Sequence, residues 1–294
     1  MQAASFDKPL PLNFPQTFLP DRRLLGQLLA FAARNGSGDK EAIGAETGIP
    51  TGKSTGKVEP MIHYALGMGL ASAMKSKGVW QLGLTPLGDC VVREDPLLGE
   101  PLSLWLLHLL LCRRCGHDVP AVGLADPWFA LFAEGSISLG GQFTEAAFHR
   151  LLVQRHGNKS YLKGLSTLVP RMYTERACFG EAGILTAAPG DDEKALLRRA
   201  RAPLEKGLFP AYALLLFLLW DARYSTDKQL AFDELARDTR LLALLGWDVT
   251  QATEWLDWMA SRGLVQLDRY TGSVVLLRLA ETPKVVAGLY SELI

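Results

Sequence analysis

Near each end of the sequence, apolar residues recur first with a helical period and then with an alternating, strand-like pattern. At the N-terminal end, segments 21–34, 40–47 and 55–66 carry apolar residues at the spacing of one helix face. Segments 69–74 and 79–84 alternate instead, and the Lys75-Ser-Lys-Gly78 sequence between them is typical of a hairpin turn. This change of period predicts three helices followed by a β-hairpin.

The same order recurs at the C-terminal end. Segments 209–224, 232–238 and 248–263 predict helices, and the last begins with Asp248 and Gln251, which have the spacing of a capping box. Segments 264–268 and 273–279 predict a hairpin around Arg269-Tyr-Thr-Gly272. Three helices followed by a hairpin is the order of a winged helix-turn-helix. We therefore expect a mainly α protein with small β-hairpins, in which winged helix-turn-helix modules at both ends flank a helical middle region.

The spacing of these patterns divides the 294 residues into three regions. We predict an N-terminal winged helix-turn-helix over 1–97, a helical middle region over 98–206 and a winged-helix-like module over 207–294. In the middle region, helices are expected at 101–114, 127–132, 144–156 and 160–173. The Pro189-Gly-Asp-Asp192 sequence predicts an exposed loop before another short helix.

The overall charge restricts how the chain could bind nucleic acid. Lys plus Arg and Asp plus Glu both total 31, so any DNA contact has to come from local clusters of basic residues. Four cysteines are too few for a disulfide framework, and the first residues lack a signal-peptide pattern. The apolar runs are too short to span a bilayer. We expect a cytoplasmic protein that does not associate with a membrane.

The first candidate for DNA contact is the start of the third N-terminal helix. Lys53, Ser54, Thr55 and Lys57 would converge there on a backbone phosphate. His63 and Tyr64 would approach base edges if this helix enters the major groove. Lys75 and Lys77 are expected at the tip of the wing. The alternatives are a solvated polar helix face, or a winged helix used for protein interaction.

The second candidate is a basic strip in the middle region. Only Glu145, Glu175 and Glu181 oppose it between residues 144 and 188. Such a strip gives a neutral protein the local positive field that DNA binding needs, although charge runs are often only solvated helix faces. Its members are His149, Arg150, Arg155, His156, Lys159, Lys163, Arg171 and Arg176.

The C-terminal third helix has a different character. Glu254 and Asp257 on its polar face would repel phosphate, so this module is better suited to packing against a partner. Arg262, Arg269 and Arg278 leave a wing contact open.

The sequence assigns no catalytic residue. Cys112-x-x-Cys115-x-His117 lacks the fourth ligand of a structural zinc site, so no metal site is predicted. The acid-x-Lys element at Asp191–Lys194 and the pair His149 and His156 are weak patterns that exposed charge and helix histidines explain equally well.

Several stretches of the chain resemble the SspB-like family, whose members accompany DNA-phosphorothioation defence genes. They cover most of the chain in order: Phe14-Pro-Gln-Thr-Phe-Leu-Pro-Asp-Arg22, Gly52-Lys-Ser54, residues 82–87, Leu104-Trp-Leu-Leu-His108, residues 162–173, Glu181-Ala-Gly-Ile-Leu185 and residues 230–272. The family usually shows His-Glu-Thr-Phe where this chain has Pro15-Gln16-Thr17-Phe18. Any chemistry of that His-Glu pair would be lost here.

The resemblance implies a DNA-binding component of an anti-phage defence system. It also implies that the protein acts together with a cysteine desulfurase, a sulfur-transfer component and an ATPase. It further implies a DNA-nicking activity that would need Mg²⁺ or Mn²⁺. Two other hypotheses remain: a non-catalytic winged-helix DNA-binding protein, and a protein-interaction scaffold that does not bind DNA. The oligomeric state, monomer or homodimer, is left open.

Overall fold

The computed structural model of the protein describes residues 8–52, 56–188, 196–269 and 273–293. The chain divides into two compact units, Met1–Ala200 and Arg201–Ile294. The predicted boundary between residues 206 and 207 lies close to this division, whereas the one between 97 and 98 falls within the first unit. In the described parts of the chain, no helix is both long and apolar enough to cross a membrane.

The first unit combines helices with small antiparallel sheets. Its α-helices are α1 (Arg22–Ala33), α2 (Lys40–Thr47), α3 (Val58–Gly67), α4 (Pro86–Glu94), α5 (Pro101–Leu111), α6 (Asp126–Phe132), α7 (Gly135–Ser138), α8 (Glu145–His156) and α9 (Leu162–Arg171). Its strands are β1 (Ser37–Gly38), β2 (Ala71–Ser76), β3 (Val79–Leu84), β4 (Arg114–Cys115), β5 (Val122–Gly123), β6 (Gln142–Phe143), β7 (Leu185–Ala188) and β8 (Leu196–Arg199). A short 3₁₀ helix spans Gly180–Ala182.

The second unit has the same order of helices and strands as the first part of unit 1, with one additional short helix. Its helices are α10 (Phe209–Tyr224), α11 (Phe232–Thr239), α12 (Leu241–Leu245), α13 (Val249–Ser261) and α14 (Thr282–Ala287), with a 3₁₀ helix at Lys206–Leu208. Its strands are β9 (Gln229–Ala231), β10 (Val265–Asp268) and β11 (Val275–Arg278). The prediction of a mainly α protein with small hairpins is confirmed.

The two end segments share one sheet topology. In unit 1 the sheet order is β1-β3-β2, and in unit 2 it is β10-β11-β9. In both, the second strand of the hairpin is central, because a short strand from before the second helix pairs along its free edge. This third strand, which the sequence patterns did not predict, ties each hairpin to the helices that precede it.

Side-chain caps fix where several helices begin. Asp21 accepts a hydrogen bond from the Leu24 amide, which starts α1, and Asp39 caps α2 in the same way. The capping box of Asp248 and Gln251 forms as predicted at the start of α13. These bonds satisfy amide groups that have no partner inside the helix, so the helix starts could be predicted locally.

The middle of unit 1 differs from the prediction in two places. The short helix expected after residue 192 is wrong over the described residues, because Leu196–Arg199 form strand β8 between β6 and β7. The Pro189–Asp192 loop and the acid-x-Lys element lie outside the described residues. Thr85, directly after β3, caps α4, a helix that the sequence patterns did not predict.

A buried charge network joins α6 to α8. Arg155 Nε donates to Asp126 Oδ2 at 2.5 Å and Arg155 Nη1 donates to Glu134 Oε2 at 2.7 Å, while His156 Nε2 lies 2.9 Å from Asp126 Oδ2. The Arg155 and Asp126 side chains are 17% and 7% exposed. Burial acts to raise the pKa of Asp126, but hydrogen bonds from His156, Arg155 and the Gly123 amide outweigh it and lower that pKa to about 2. The network therefore keeps its charges.

We predict that Arg155→Leu destabilises the protein by about 3–5 kcal/mol, because it leaves the buried Asp126 carboxylate without its main partner. The control is Arg171→Leu, which removes a solvent-exposed ion pair with Glu175 and should cost at most about 1 kcal/mol. Urea unfolding followed by circular dichroism measures both. Equal effects of the two substitutions would contradict a structural role for Arg155.

Candidate nucleic-acid interface

Helix α3 lies inside unit 1 rather than on its surface. Each of its ten residues is buried or half-buried. Phe14 packs edge-on against Tyr64, with ring centroids 4.9 Å apart, and stacks on Trp128 of α6 at 5.7 Å. The Tyr64 side chain is fully buried and its hydroxyl donates to the Phe18 carbonyl at 3.2 Å. The prediction that Tyr64 reaches base edges is therefore wrong.

The half-exposed side of α3 faces the hairpin β2–β3. Glu59 Oε1 accepts hydrogen bonds from Lys75 Nζ at 2.5 Å and from Trp80 Nε1 at 3.3 Å. The Lys75 ammonium also lies 4.9 Å from the Trp80 ring centroid. Hydrogen bonding with Lys75 is the main reason why the pKa of Glu59 is below its usual value. The carboxylate of Glu59 therefore neutralises Lys75 and holds the hairpin against the helix.

His63 is enclosed by the same contacts. Its Nδ1 donates to the Glu59 carbonyl at 2.8 Å, and its ring meets Trp80 edge-on at 5.9 Å. Burial lowers the pKa of His63 below its ordinary value, so its ring is neutral at pH 7. This half-buried imidazole has one nitrogen already committed to the helix backbone.

Of the residues predicted to contact phosphate at the start of α3, the structure describes only Lys57. Lys53, Ser54 and Thr55 lie outside the described residues. Lys57 is half-buried, and its Nζ lies 6.0 Å from the centroid of the Phe18 ring. Phe18 belongs to the Pro15–Phe18 turn, where Gln16 takes a positive φ of 55°. The segment that departs from the SspB-like pattern therefore packs beside the start of α3.

In the basic strip, internal carboxylates neutralise part of the positive charge. Arg155 is held in the network with Asp126 and Glu134. Arg171 pairs with Glu175 at 2.9 Å and Arg176 with Glu181 at 3.2 Å. The sequence could not indicate the pairing of Arg155, because its partners lie on α6 and just beyond it.

Glu145, the third carboxylate within the strip, also has a hydrogen-bond partner. Glu145, at the start of α8, accepts a hydrogen bond from the Thr167 hydroxyl of α9 at 3.0 Å. Three exposed cations on and between these helices, Arg150, Lys159 and Lys163, form no ion pair with any described residue. They are the part of the strip that stays available to an anionic ligand.

Two further exposed cations lie on the small sheets of unit 1. Lys77 occupies the turn between β2 and β3, and within the described residues no carboxylate pairs with it. Arg198 lies on β8, opposite Gln142 and Thr186 of the neighbouring strands, and is likewise exposed. Sequence reasoning missed Arg198 because the segment was expected to be helical.

Arg262, Arg269 and Arg278, the arginines of unit 2 that the sequence suggested for a wing contact, all pair with carboxylates. Arg269 bonds to Asp257 of α13, Arg262 lies 2.6 Å from Glu292, and Arg278 lies 2.5 Å from Asp221. Their charges are therefore balanced within the unit.

Cys112 and His108 lie in structural contacts within the core. Cys112 Sγ lies 3.4 Å from His108 Nδ1, which also lies 2.8 Å from the Tyr173 hydroxyl in the buried core. Within the described parts of the chain, no group of three or more His, Cys, Asp or Glu side chains is placed to hold a metal ion.

Together the elements define a class of mainly helical proteins whose two units each carry a three-stranded antiparallel sheet after a set of helices. The fold is similar to that of SspB. A magnesium-bound SspB crystal structure aligns with a TM-score of 0.73 and 18% identity, and covers 99% of this chain and 91% of that one. A second SspB crystal structure aligns with a TM-score of 0.69 and 17% identity, and the alignment covers the same shares of the two chains. No family model and no curated protein sequence matches the chain.

We predict that Glu59→Gln loosens the β2–β3 hairpin, because a neutral amide holds the Lys75 ammonium less well than a carboxylate does. Amide hydrogen exchange of residues 71–84, followed by mass spectrometry, should become faster. Glu46→Gln, which alters an exposed ion pair with Arg34, should leave this exchange unchanged. Unchanged hairpin exchange in the Glu59 variant would show that Glu59 does not hold the hairpin.

Proposed function

We propose that the protein binds double-stranded DNA as a component of an SspB-like phosphorothioation defence system. The observation that carries the proposal is the set of seven exposed cations in unit 1 that form no ion pair with a described residue: Lys8, Arg23, Lys77, Arg150, Lys159, Lys163 and Arg198. Unpaired cations gain most from phosphate contacts, because no internal carboxylate has to be displaced first. The SspB-like fold supports the same assignment.

The charge of the two units supports a division of labour. Residues 1–200 contain 21 Lys and Arg against 19 Asp and Glu, whereas residues 201–294 contain 10 against 12. In the second unit, Glu254 and Asp257 on α13 are exposed. Unit 1 is therefore the DNA-binding unit of this proposal, and unit 2 is the one that meets protein partners. Both would be winged helix-turn-helix modules in the broad sense of helices followed by a hairpin.

The contribution of each predicted residue differs under this proposal. Lys77, Arg150, Lys159 and Lys163 contact phosphate directly, and Lys57 with the neighbouring Lys53, Ser54 and Thr55 adds contacts at the start of α3. Lys75 and Arg171 have first to exchange an internal carboxylate for phosphate. Arg155 and His63 support the surface from within and do not touch DNA.

Nicking and the partner proteins rest on the resemblance alone. Incubating supercoiled plasmid with the protein and Mg²⁺ or Mn²⁺ tests nicking through the appearance of open-circular DNA. Without that product, but with duplex binding intact, the protein is a binding component only. Co-purification with a cysteine desulfurase, a sulfur-transfer protein or an ATPase tests the partners.

A protein-interaction scaffold that does not bind DNA is the second candidate. The burial of α3 favours it, because the third helix is the element that a winged helix-turn-helix ordinarily places in the major groove. The net neutral chain favours it as well. Affinity for duplex DNA at low salt excludes this candidate.

We predict that the triple variant Arg150→Ala, Lys159→Ala, Lys163→Ala binds duplex DNA more weakly than the wild type. The slope of log K against log salt should fall by about 2–3, since each lost phosphate contact accounts for about 0.9. Fluorescence anisotropy over a salt series measures the slope.

The matched control removes three exposed lysines of unit 2, Lys206→Ala, Lys228→Ala and Lys284→Ala. It changes the net charge by the same amount, so it separates a local interface from a general effect of charge. The same loss of slope in both triple variants would contradict an interface on α8 and α9.

A further inference from the structure

The hairpin β2–β3 has two faces of different character. Strand pairing places Lys75 opposite Trp80, and this pair turns toward Glu59 of α3. Because side chains alternate along a strand, the other face carries three cross-strand pairs. These are Ser72 opposite Gly83, Met74 opposite Gln81 and Ser76 opposite Val79, and the last two lie next to the turn.

Next to the turn, this outer face is solvent-exposed. Met74 is 70% exposed and Val79 43%, and Ser76 and Gln81 are also exposed. Met74 and Val79 are diagonal neighbours on the pleated surface, so they form one apolar strip beside the Gln81 amide.

The tip of the hairpin is rigid and positively charged. Lys77 and Gly78 both have positive φ, 48° and 84°, as in the tight two-residue turn that matches the twist of the strands. Residues 70–88 contain two lysines and no carboxylate. Because Glu59 of α3 neutralises Lys75, Lys77 is the charge that the hairpin offers to a polyanion, and it lies next to the apolar strip.

We propose, on the basis of the DNA-binding function proposed above, that this hairpin and not helix α3 enters the major groove and contacts A·T base pairs there. Helix α3 is enclosed by Phe14, Trp128 and the hairpin, whereas the outer face of the hairpin is solvent-exposed next to its turn. The DNA-reading element of unit 1 is thus its wing.

The dimensions select the groove. Two paired strands lie about 5 Å apart, and with their side chains they exceed the width of the minor groove, about 6 Å. The major groove is about 12 Å wide and admits a two-stranded ribbon. The hairpin has this form at Ser76–Val79, whereas the short strand β1 pairs with β3 at Trp80 and Gln81 and would stay at the groove edge. Inserted there, Lys77 at the tip would meet a phosphate at the groove edge.

The chemistry selects the base pair. In the major groove, adenine presents an N7 acceptor and an N6 amino donor, which a glutamine amide matches with two hydrogen bonds. The thymine of the same pair presents a methyl group, which suits an apolar side chain. The cross-strand pair of Gln81 and Met74 offers both groups side by side.

Base analogues test this inference with the full-length protein. The probes are an A·T-rich duplex, the same duplex with uracil in place of thymine, and the same duplex with 7-deazaadenine in place of adenine. For the wild type we expect uracil to weaken binding about three- to fivefold, as for loss of one buried methyl group. Removal of N7 should weaken it about three- to tenfold, as for loss of one hydrogen bond of the pair.

The variants assign each effect to a side chain. Met74→Ala should abolish the sensitivity to uracil, and Gln81→Ala the sensitivity to 7-deazaadenine. Ile137→Ala, which alters an apolar side chain of unit 1 that is 90% exposed, should keep both sensitivities. All three positions are on the surface, so the variants should fold like the wild type.

The outcomes separate the two proposals. If the wild type binds the duplex but neither analogue weakens binding, the wing inference is overturned while the proposed function stands. If both sensitivities persist in Met74→Ala and Gln81→Ala, another element reads the bases and the inference is again overturned. If the wild type does not bind any duplex at low salt, both proposals fail.

Discussion

The stack of Phe14 between Tyr64 and Trp128 is the contact on which the surface of unit 1 depends. It fixes the N-terminal segment and α6 against α3 and leaves that helix half-exposed at most. Glu59 then closes the remaining side by holding Lys75 and Trp80 of the hairpin. Helix α3 is therefore a core element, and other elements provide the exposed charge of unit 1.

The buried charged side chains of unit 1 stabilise the fold, and the charges available to a ligand are the exposed ones. Asp126 and Glu134 hold Arg155 between α6 and α8, at a cost in desolvation that their hydrogen bonds offset. Arg171 and Arg176 are balanced by carboxylates close to them in sequence. The exposed cations of unit 1 that stay unpaired among the described residues are therefore the candidates for contact with a polyanion.

Local patterns were enough to predict most helices and both hairpins. The caps at Asp21, Asp39 and Asp248 act within four residues, and the change from a helical to an alternating period marks where each hairpin begins. The structure puts the strands of the first hairpin at Ala71–Ser76 and Val79–Leu84, within two residues of the predicted segments. Interactions of short range in sequence are readable from the sequence alone.

Contacts that are distant in sequence were not readable. The partners of Arg155 are 21 and 29 residues away, so a basic strip that looked uniform contains both structural and free cations. The same limit applies to Tyr64, whose spacing fitted an exposed helix face but whose ring packs on Phe14. It also applies to Arg198, because β8 becomes a strand only by pairing with β6 and β7. Pairing and burial across the fold, rather than residue type, decided which predicted site residues reach the surface.

Lysine acetylation of the wild-type protein, with and without bound duplex and read by mass spectrometry, tests the central claim most directly. The claim predicts that DNA protects Lys77, Lys159 and Lys163 and leaves Lys206, Lys228 and Lys284 unchanged. Protection of the unit 2 lysines alone, or of none of the six under conditions where DNA is bound, would contradict it.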